Sequence, residues 1–300
     1  MGEKVTYSRR KSDKKPLHIV TIGGGTGSFA ILSELRKQRE SGKNIKISAI
    51  VSMSDSGGST GVLMDDYGVL PPGDVRQCLV ALSSESKFLR DLFLYRYEKE
   101  HGFLGGQNFG NIFLSTIEKI TNSFPKAVRE AEKILHTQGR TYPVTISKNT
   151  LIAEKENGEK IESEDSIDHG DVTDIKNIYL EGNNILLNQK IPSVLEEADI
   201  ILVNPGSFYG STLPNFLVEG LSDEIQKSTA KKIFITNMVT EKKHTDDFTV
   251  LTFLEKMEQF GNFSDFDQVL YNTNYDIDKQ IEKRYEEEGK FFIQADKKLS

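Results

Sequence analysis

The chain has 300 residues, 37% of them hydrophobic, and a formal net charge of -7. That length suits one large α/β domain, and the apolar content excludes a disordered chain. The acidic balance excludes a broad duplex-nucleic-acid footprint; the single cysteine, Cys78, excludes a disulfide framework or a thiolate zinc site within one chain; and no apolar run approaches a membrane span.

Residues 1–16 are basic and polar with no apolar core behind them, which reads as a flexible tail and not a secretory signal. A β-rich run over 18–22 stops at Gly23, Gly24 and Gly25, and the helix that follows carries Phe29, Leu32 and Leu35 on one face. A nearly all-apolar strand over 45–53 suits burial on both faces, and strand, helix, strand in this order predicts a right-handed parallel crossover. Residues 54–74, with five glycines and the pair Pro71 and Pro72, read as a long functional loop. Helices are expected over 75–83, 88–97, 109–120 and 125–137, with Asp74 near the cap of the first. Within 142–190 the runs 144–146 and 151–153 read as strands and Asn157 with Gly158 as a hairpin turn, while acidic 154–177 reads as a solvated loop. The α/β pattern then returns, with strands over 198–203, 232–236 and 268–272 and helices over 215–228, 248–260 and 279–289. The expectation is a mostly parallel α/β sheet in one domain over 17–300, with a small β insertion at about 142–190.

Six constellations carry candidate chemistry. Gly24, Gly25, Thr26 and Gly27, between a strand and a helix, permit a tight turn that approaches a pyrophosphate at a helix N-terminus. The alternative is a plain tight turn. Asp55, Ser56, Gly57, Gly58 and Ser59 follow the second strand, where open α/β sheets bind ligands. Asp55 either selects a ribose or sugar hydroxyl, holds a metal through phosphate, or caps a turn. Asp74 and Arg76 open a helix, and Arg76 meets a phosphate or pairs with Asp74. Asn108 and Asn111 open a buried helix, either lining a pocket or capping the helix. Gly206, Ser207 and Tyr209 repeat the first logic after a later strand, and Asn237 follows the next one. These turns are expected to gather on one rim of the sheet. The five histidines show no metal spacing, and no His acid–base is tied to the glycine loops. No catalytic residue and no metal ligand is assigned, and Cys78 reads as a core residue.

The runs IVTIGGGTGS, VSMSDSGGSTGVL, GVLPPGDVRQCLVALS, GGQNFGNIFL and NPGSFYGSTLPNFLVEGL, in this order from about residue 17 to 275, resemble the gluconeogenesis-factor family (YvcK type). Its wider CofD-like superfamily includes the 2-phospho-L-lactate transferase of deazaflavin coenzyme synthesis. The resemblance implies a Rossmann-like three-layer sandwich and a cytoplasmic regulatory protein that binds a UDP-sugar or another nucleotide diphosphate. It also implies a role in cell shape and envelope synthesis on gluconeogenic carbon sources, with a regulatory protein partner or a homo-oligomer. The alternatives are a Mg2+-dependent phospho-lactyl transferase and an NAD(P)-binding oxidoreductase. Three positions depart from the family pattern: Ser56 stands in place of a second aspartate, Val62 in place of an arginine and Gln107 in place of a histidine. All three weaken catalysis more than binding.

Overall fold

The computed structural model describes residues 15–100 and 102–296. All but Lys15 and Pro16 of the basic N-terminal stretch lies outside them. The first strand, β1 (Leu17–Gly23), is buried from His18 onward and leads almost directly into α1 (Gly25–Glu40). β2 (Ile45–Val51) returns parallel to β1, with Ile19 opposite Ile47 and Ile22 opposite Ile50. The five helices α2 (Gly58–Tyr67), α3 (Gly73–Leu82), α4 (Lys87–Leu94), α5 (Phe109–Thr121) and α6 (Phe124–Ile134) follow before β3 (Arg140–Pro143) pairs with the outer edge of β2. β4 (Thr150–Lys155), β5 (Lys160–Glu162) and β6 (Ile175–Glu181) then form a separate antiparallel sheet, with α7 (Glu164–His169) between β5 and β6.

The chain returns to the main sheet through α8 (Ile191–Glu196) and β7 (Ile200–Val203), which pairs with the free side of β1. A π-turn over Phe208–Thr212 leads into α9 (Leu213–Phe216) and α10 (Leu221–Lys227). β8 (Lys231–Ile235), α11 (Val250–Gly261), β9 (Gln268–Leu270) and the exposed α12 (Lys279–Glu287) complete the chain. The main sheet runs β3-β2-β1-β7-β8-β9 with every neighbour parallel. In order of appearance within that sheet, this is 3-2-1-4-5-6, the Rossmann-like doubly wound arrangement. Its order reverses between β1 and β7, and a crevice opens there at the strands' C-terminal ends. Among the described residues no helix is long and apolar enough to cross a membrane.

Four sequence-based expectations are corrected. The stretch 54–74 is not one loop, because α2 forms inside it. Leu63 is buried there, Ser59 and Thr60 place their hydroxyls on internal partners, and Gly68 ends the helix in the left-handed conformation at φ 64°. The strand expected at 144–146 is instead β3, four residues earlier, and it belongs to the main sheet. The acidic 154–177 stretch is not a solvated loop, since it holds β5, α7 and the start of β6. The helix expected over 215–228 is broken: Gly220 adopts φ 91°, and α10 starts afresh after it.

The β3 edge is closed by side chains. Buried Glu132 accepts from Arg129, Arg140 and the Thr141 amide, all at 2.7 Å, and Asn188 Nδ2 donates to the Pro143 carbonyl at 2.9 Å. Pro143 itself has no amide to offer, so no ladder continues outward. At the opposite end of the sheet from the crevice, buried His18 Nε2 meets Ser48 Oγ at 2.9 Å and joins β1 to β2. Burial, with Lys46 nearby, lowers its pKa.

Candidate functional site

The turn after β1 is shaped by its neighbours. Gly24 caps α1 in an extended conformation, and a side chain there would overlap the Asp74 carboxylate. Gly25, at φ +60°, donates its amide to Asp74 Oδ1 at 2.9 Å. Asp74 therefore does not cap its own helix, where Pro72 holds the cap position, but ties α3 to the glycine turn. Gly27 packs flat against the Pro205 carbonyl, so the turns after β1 and β7 touch through backbone. Asn204 Nδ2, donating to Ser28 Oγ at 3.0 Å, fastens the same contact. The first turn of α1 carries no acidic residue and no side-chain cap of its own, and the Asp74 carboxylate already occupies the Gly25 amide, which leaves only the amides after it to attract a further anion.

The turn after β2 is held around Asp55. Its carboxylate accepts from Thr60 Oγ1 at 2.7 Å and from the Gly57 amide at 3.2 Å, so the turn-capping role holds. It also faces the same cleft. Asn111 Nδ2 donates to Thr60 Oγ1 at 3.3 Å, and Arg76 Nε donates to Asn111 Oδ1 at 2.8 Å. This chain of bonds runs from α2 through α5 to α3 and fixes the Arg76 guanidinium, which is only 6% exposed.

Together these groups line one cleft of about 430 Å³. Of the residues expected at the site, Gly25, Thr26, Asp55, Gly57, Gly58, Asp74, Arg76, Asn111 and Ser207 line it. The others serve it indirectly or not at all. Gly24 and Gly27 shape the first turn. The Ser56 amide donates to Glu164 at 3.2 Å. Gly206 is clasped by Asn237, which accepts from its amide at 3.1 Å and donates to its carbonyl at 2.9 Å.

Three expected positions lie in the core. Ser59 is buried and donates to Gln107 Oε1 at 2.9 Å. Asn108 does not line a pocket: it caps α5 by accepting from the Asn111 amide and donates to the Leu94 and Tyr95 carbonyls. Tyr209 does not close the cleft either. The π-turn rotates it inward, and its ring packs edge-on to Phe208, Phe248 and Phe260. Cys78 is buried, and burial raises its thiol well above the ordinary value, so it supplies no nucleophile.

The residues that sequence reasoning missed come chiefly from α7, with Glu164, Asp165, Asp168 and His169, and from Gln77, Arg96, Ser211 and Glu241. A local signal for α7 existed. Ser163 precedes Glu164 and Asp165, a capping residue followed by acids in a first turn, and its side chain does cap the helix. Nothing local said that α7 folds back over the crevice. It does so through Asp165 N–H to Ser56 Oγ at 3.0 Å and Ser207 Oγ to Asp168 Oδ1 at 2.9 Å.

The cleft is lined by two cations, Arg76 and Arg96, and by six acids, Asp55, Asp74, Glu164, Asp165, Asp168 and Glu241. Burial, then the Asp55 charge, raises Asp74 to about 7. Burial, then Asp55 and Asp168, raises Glu164 to about 9. Burial and Asp168 raise Glu241 to about 7. Asp55 is raised too, chiefly by burial. Burial and the nearby Arg96 lower Arg76 to about 10, which leaves it a cation at neutral pH.

Each of these acids titrates above its unfolded value of 3.8 or 4.5. The stability it lends is therefore complete below about pH 4 and is lost as pH climbs through 7 to 9. The ligand-free protein is expected to melt on the order of 5 °C lower at about pH 9 than at about pH 5. Glu164→Gln should flatten much of that slope in a calorimetric melt, and a midpoint that rises across the window would contradict the assignment.

A family model described as 2-phospho-L-lactate transferase CofD matches residues 19–300. A putative gluconeogenesis factor from Aquifex aeolicus is 37% identical over 276 residues, covering 91% of this chain and 83% of its own. The gluconeogenesis factor of Bacillus subtilis is 35% identical over 272 residues, covering 90% and 83%. The crystal structure of a UPF0052-family protein from Bacillus halodurans matches with a TM-score of 0.87 at 31% identity, covering 95% of this chain and 89% of that one. Matched along nearly its whole length in sequence and fold, the chain belongs to the gluconeogenesis factor family, within the CofD-like superfamily.

Proposed function

We propose that the protein binds a nucleotide-sugar of the UDP-sugar kind across the crevice between β1 and β7, as a cytoplasmic regulatory protein. Its role would be the one its relatives' name suggests, in gluconeogenic growth, with an effect on cell shape and envelope synthesis exerted through a protein partner. The observation that carries the binding reading is Arg76. A guanidinium held almost out of water, in one cleft with the glycine turn that opens α1, calls for an anion that brings its own charge compensation. A diphosphate supplies it.

The remaining acids of the cleft argue for what is attached to the diphosphate. Glu164, Asp165, Asp168 and Glu241 repel phosphate but accept hydrogen bonds from hydroxyls. A ligand with an anionic middle and hydroxyl-rich ends matches both the cations and the acids of the cleft. Titration calorimetry with UDP-N-acetylglucosamine, UDP-glucose, GDP and NAD is the test. A UDP-sugar dissociation constant in the micromolar range, about -8 kcal/mol, is expected. No heat with any of the four would remove the nucleotide reading.

A second reading, phospho-lactyl transfer, is favoured by the carboxylates Asp55 and Asp74, which line the cleft and act on Arg76. That chemistry calls for Mg2+, and the donor set does not match a ready cage. Among the described residues no three His, Cys, Asp or Glu side chains gather to hold a metal ion. Mg2+-dependent release of a nucleoside phosphate in the presence of an acceptor would favour the transferase over the regulator.

A further inference from the structure

Two buried polar atoms beside the cleft have no partner. Glu241 Oε2 and His244 Nδ1 are both shut away from solvent without a hydrogen bond. They face each other across 3.9 Å, just beyond bonding range, on one turn of chain that follows β8. The turn is rigid. The Glu241 amide donates to Thr245 Oγ1 at 2.8 Å, and the Glu241 carbonyl accepts from the His244 and Thr245 amides at 3.0 and 2.8 Å. His244 is 6% exposed, while Glu241 reaches the cleft lining, where the Phe208 amide steadies its carboxyl. Asp168 on α7 and Lys290 near the C-terminal end are the other charged groups acting on it.

Among the cleft's acids, Glu241 stands apart. Asp55, Asp74, Glu164 and Asp168 already accept bonds from Thr60, Gly25, Ser56 and Ser207. Glu241 alone of these holds an oxygen that is both buried and unmet, opposite an equally unmet donor. Leaving such a pair open is costly, and a shift of about 1 Å closes it into a hydrogen bond. A group pressing on the cleft side of the carboxyl would supply that shift.

Topology says which group. In a doubly wound sheet the diphosphate sits at the reversal point, and the acid after the second strand, here Asp55, lies on the nucleoside side. Glu241 follows β8, on the other side of that point and two strands from β1, roughly 10 Å away. We propose that Glu241, backed by His244, is the acceptor that reads the hydroxyl-bearing group beyond the diphosphate, and so sets the preference for a nucleotide-sugar over the bare nucleoside diphosphate. The proposal rests on the nucleotide-sugar reading and names the specificity residues of that site.

Titrations of the wild type, Glu241→Gln and His244→Gln with UDP, UDP-glucose and UDP-N-acetylglucosamine test it. The wild type is expected to bind at least one of the sugars more tightly than UDP. Glu241→Gln should weaken that sugar's binding about tenfold and leave UDP within about twofold, and His244→Gln should move the same ratio about threefold. A merely structural role would weaken UDP and the sugar alike, and that outcome overturns the proposal. So does an unchanged sugar-to-UDP ratio in both variants. Should Glu241→Gln fail to fold, the ratio in His244→Gln decides alone. A wild type that binds UDP but shows no preference for either sugar removes this inference and leaves the nucleotide site standing; a wild type that binds none of the three removes both.

Discussion

Alanine at position 27 is expected to cost about 3 kcal/mol of stability and on the order of a hundredfold in nucleotide affinity. Helix propensity alone says the reverse, since Gly27 lies in the first turn of α1 and Gly→Ala in a helix usually gains roughly 0.5–1 kcal/mol. Packing decides the sign. A Cβ at this position would overlap the carbonyl oxygen of Pro205, which is backbone and has no rotamer to escape into. The turns after β1 and β7 would have to part, and with them the Gly25 amide would move away from Asp74. Neighbouring ties resist that parting: Asn204 bonds to Ser28, and the Asn204 amide donates to the Ile22 carbonyl at 2.9 Å. Differential scanning calorimetry should show a midpoint lowered by roughly 6–10 °C, and titration with a UDP-sugar the loss of affinity. An alanine variant that melts higher than the wild type would mean that the two turns do not touch.

The same backbone contact shows what could be read from the amino-acid order and what could not. β1 and β2 were legible because a buried parallel strand is mostly apolar on both faces, and 18–22 and 45–53 are mostly apolar. The glycine turns were legible because only glycine tolerates the close approaches found at Gly24 and Gly27. β3 was misplaced because its four residues Arg140, Thr141, Tyr142 and Pro143 carry no apolar alternation; its edge is satisfied by Glu132 and Asn188, which are distant or unremarkable in sequence.

Tyr209 misled for a physical reason as well. An aromatic residue just after a Gly-Ser turn looks like a ligand-stacking group, but the extra residue of a π-turn swings it onto Phe248 and Phe260. α7 is the largest loss. Its acids are as polar as any solvated loop, and their site role depends on the small β-sheet carrying them back over the crevice, a long-range fact with no local trace. The cleft was thus half visible: one part of its lining is written in glycines and another in carboxylates that resemble surface.

Removing the charge of Arg76 should separate function from stability more sharply than any other change. Arg76→Met keeps much of the apolar stem and deletes the guanidinium. In the ligand-free protein that deletion has opposing consequences. The bond to Asn111 Oδ1 is lost, at a cost of about 1–2 kcal/mol. Against this, a cation that burial already disfavours, to the point of lowering its pKa to about 10, no longer has to be held out of water. Asp55 and Asp74 lose a favourable neighbour, but both are already raised, so they take up protons at little further cost. The melting midpoint is therefore expected to stay within about 3 °C of the wild type. With a diphosphate in the cleft the account is one-sided. The phosphate oxygens lose their buried bidentate donor while Asp55, Asp74 and Glu164 remain nearby, and truncating one member of such a pair costs about 2–5 kcal/mol, on the order of a hundredfold or more in affinity. Arg76→Lys should recover only part of this, because an ammonium keeps the charge but not the planar fork or the Nε bond to Asn111. A methionine variant that binds UDP-sugars as tightly as the wild type would show that Arg76 faces no phosphate; one that unfolds would show that its cation holds the cleft together even without a ligand.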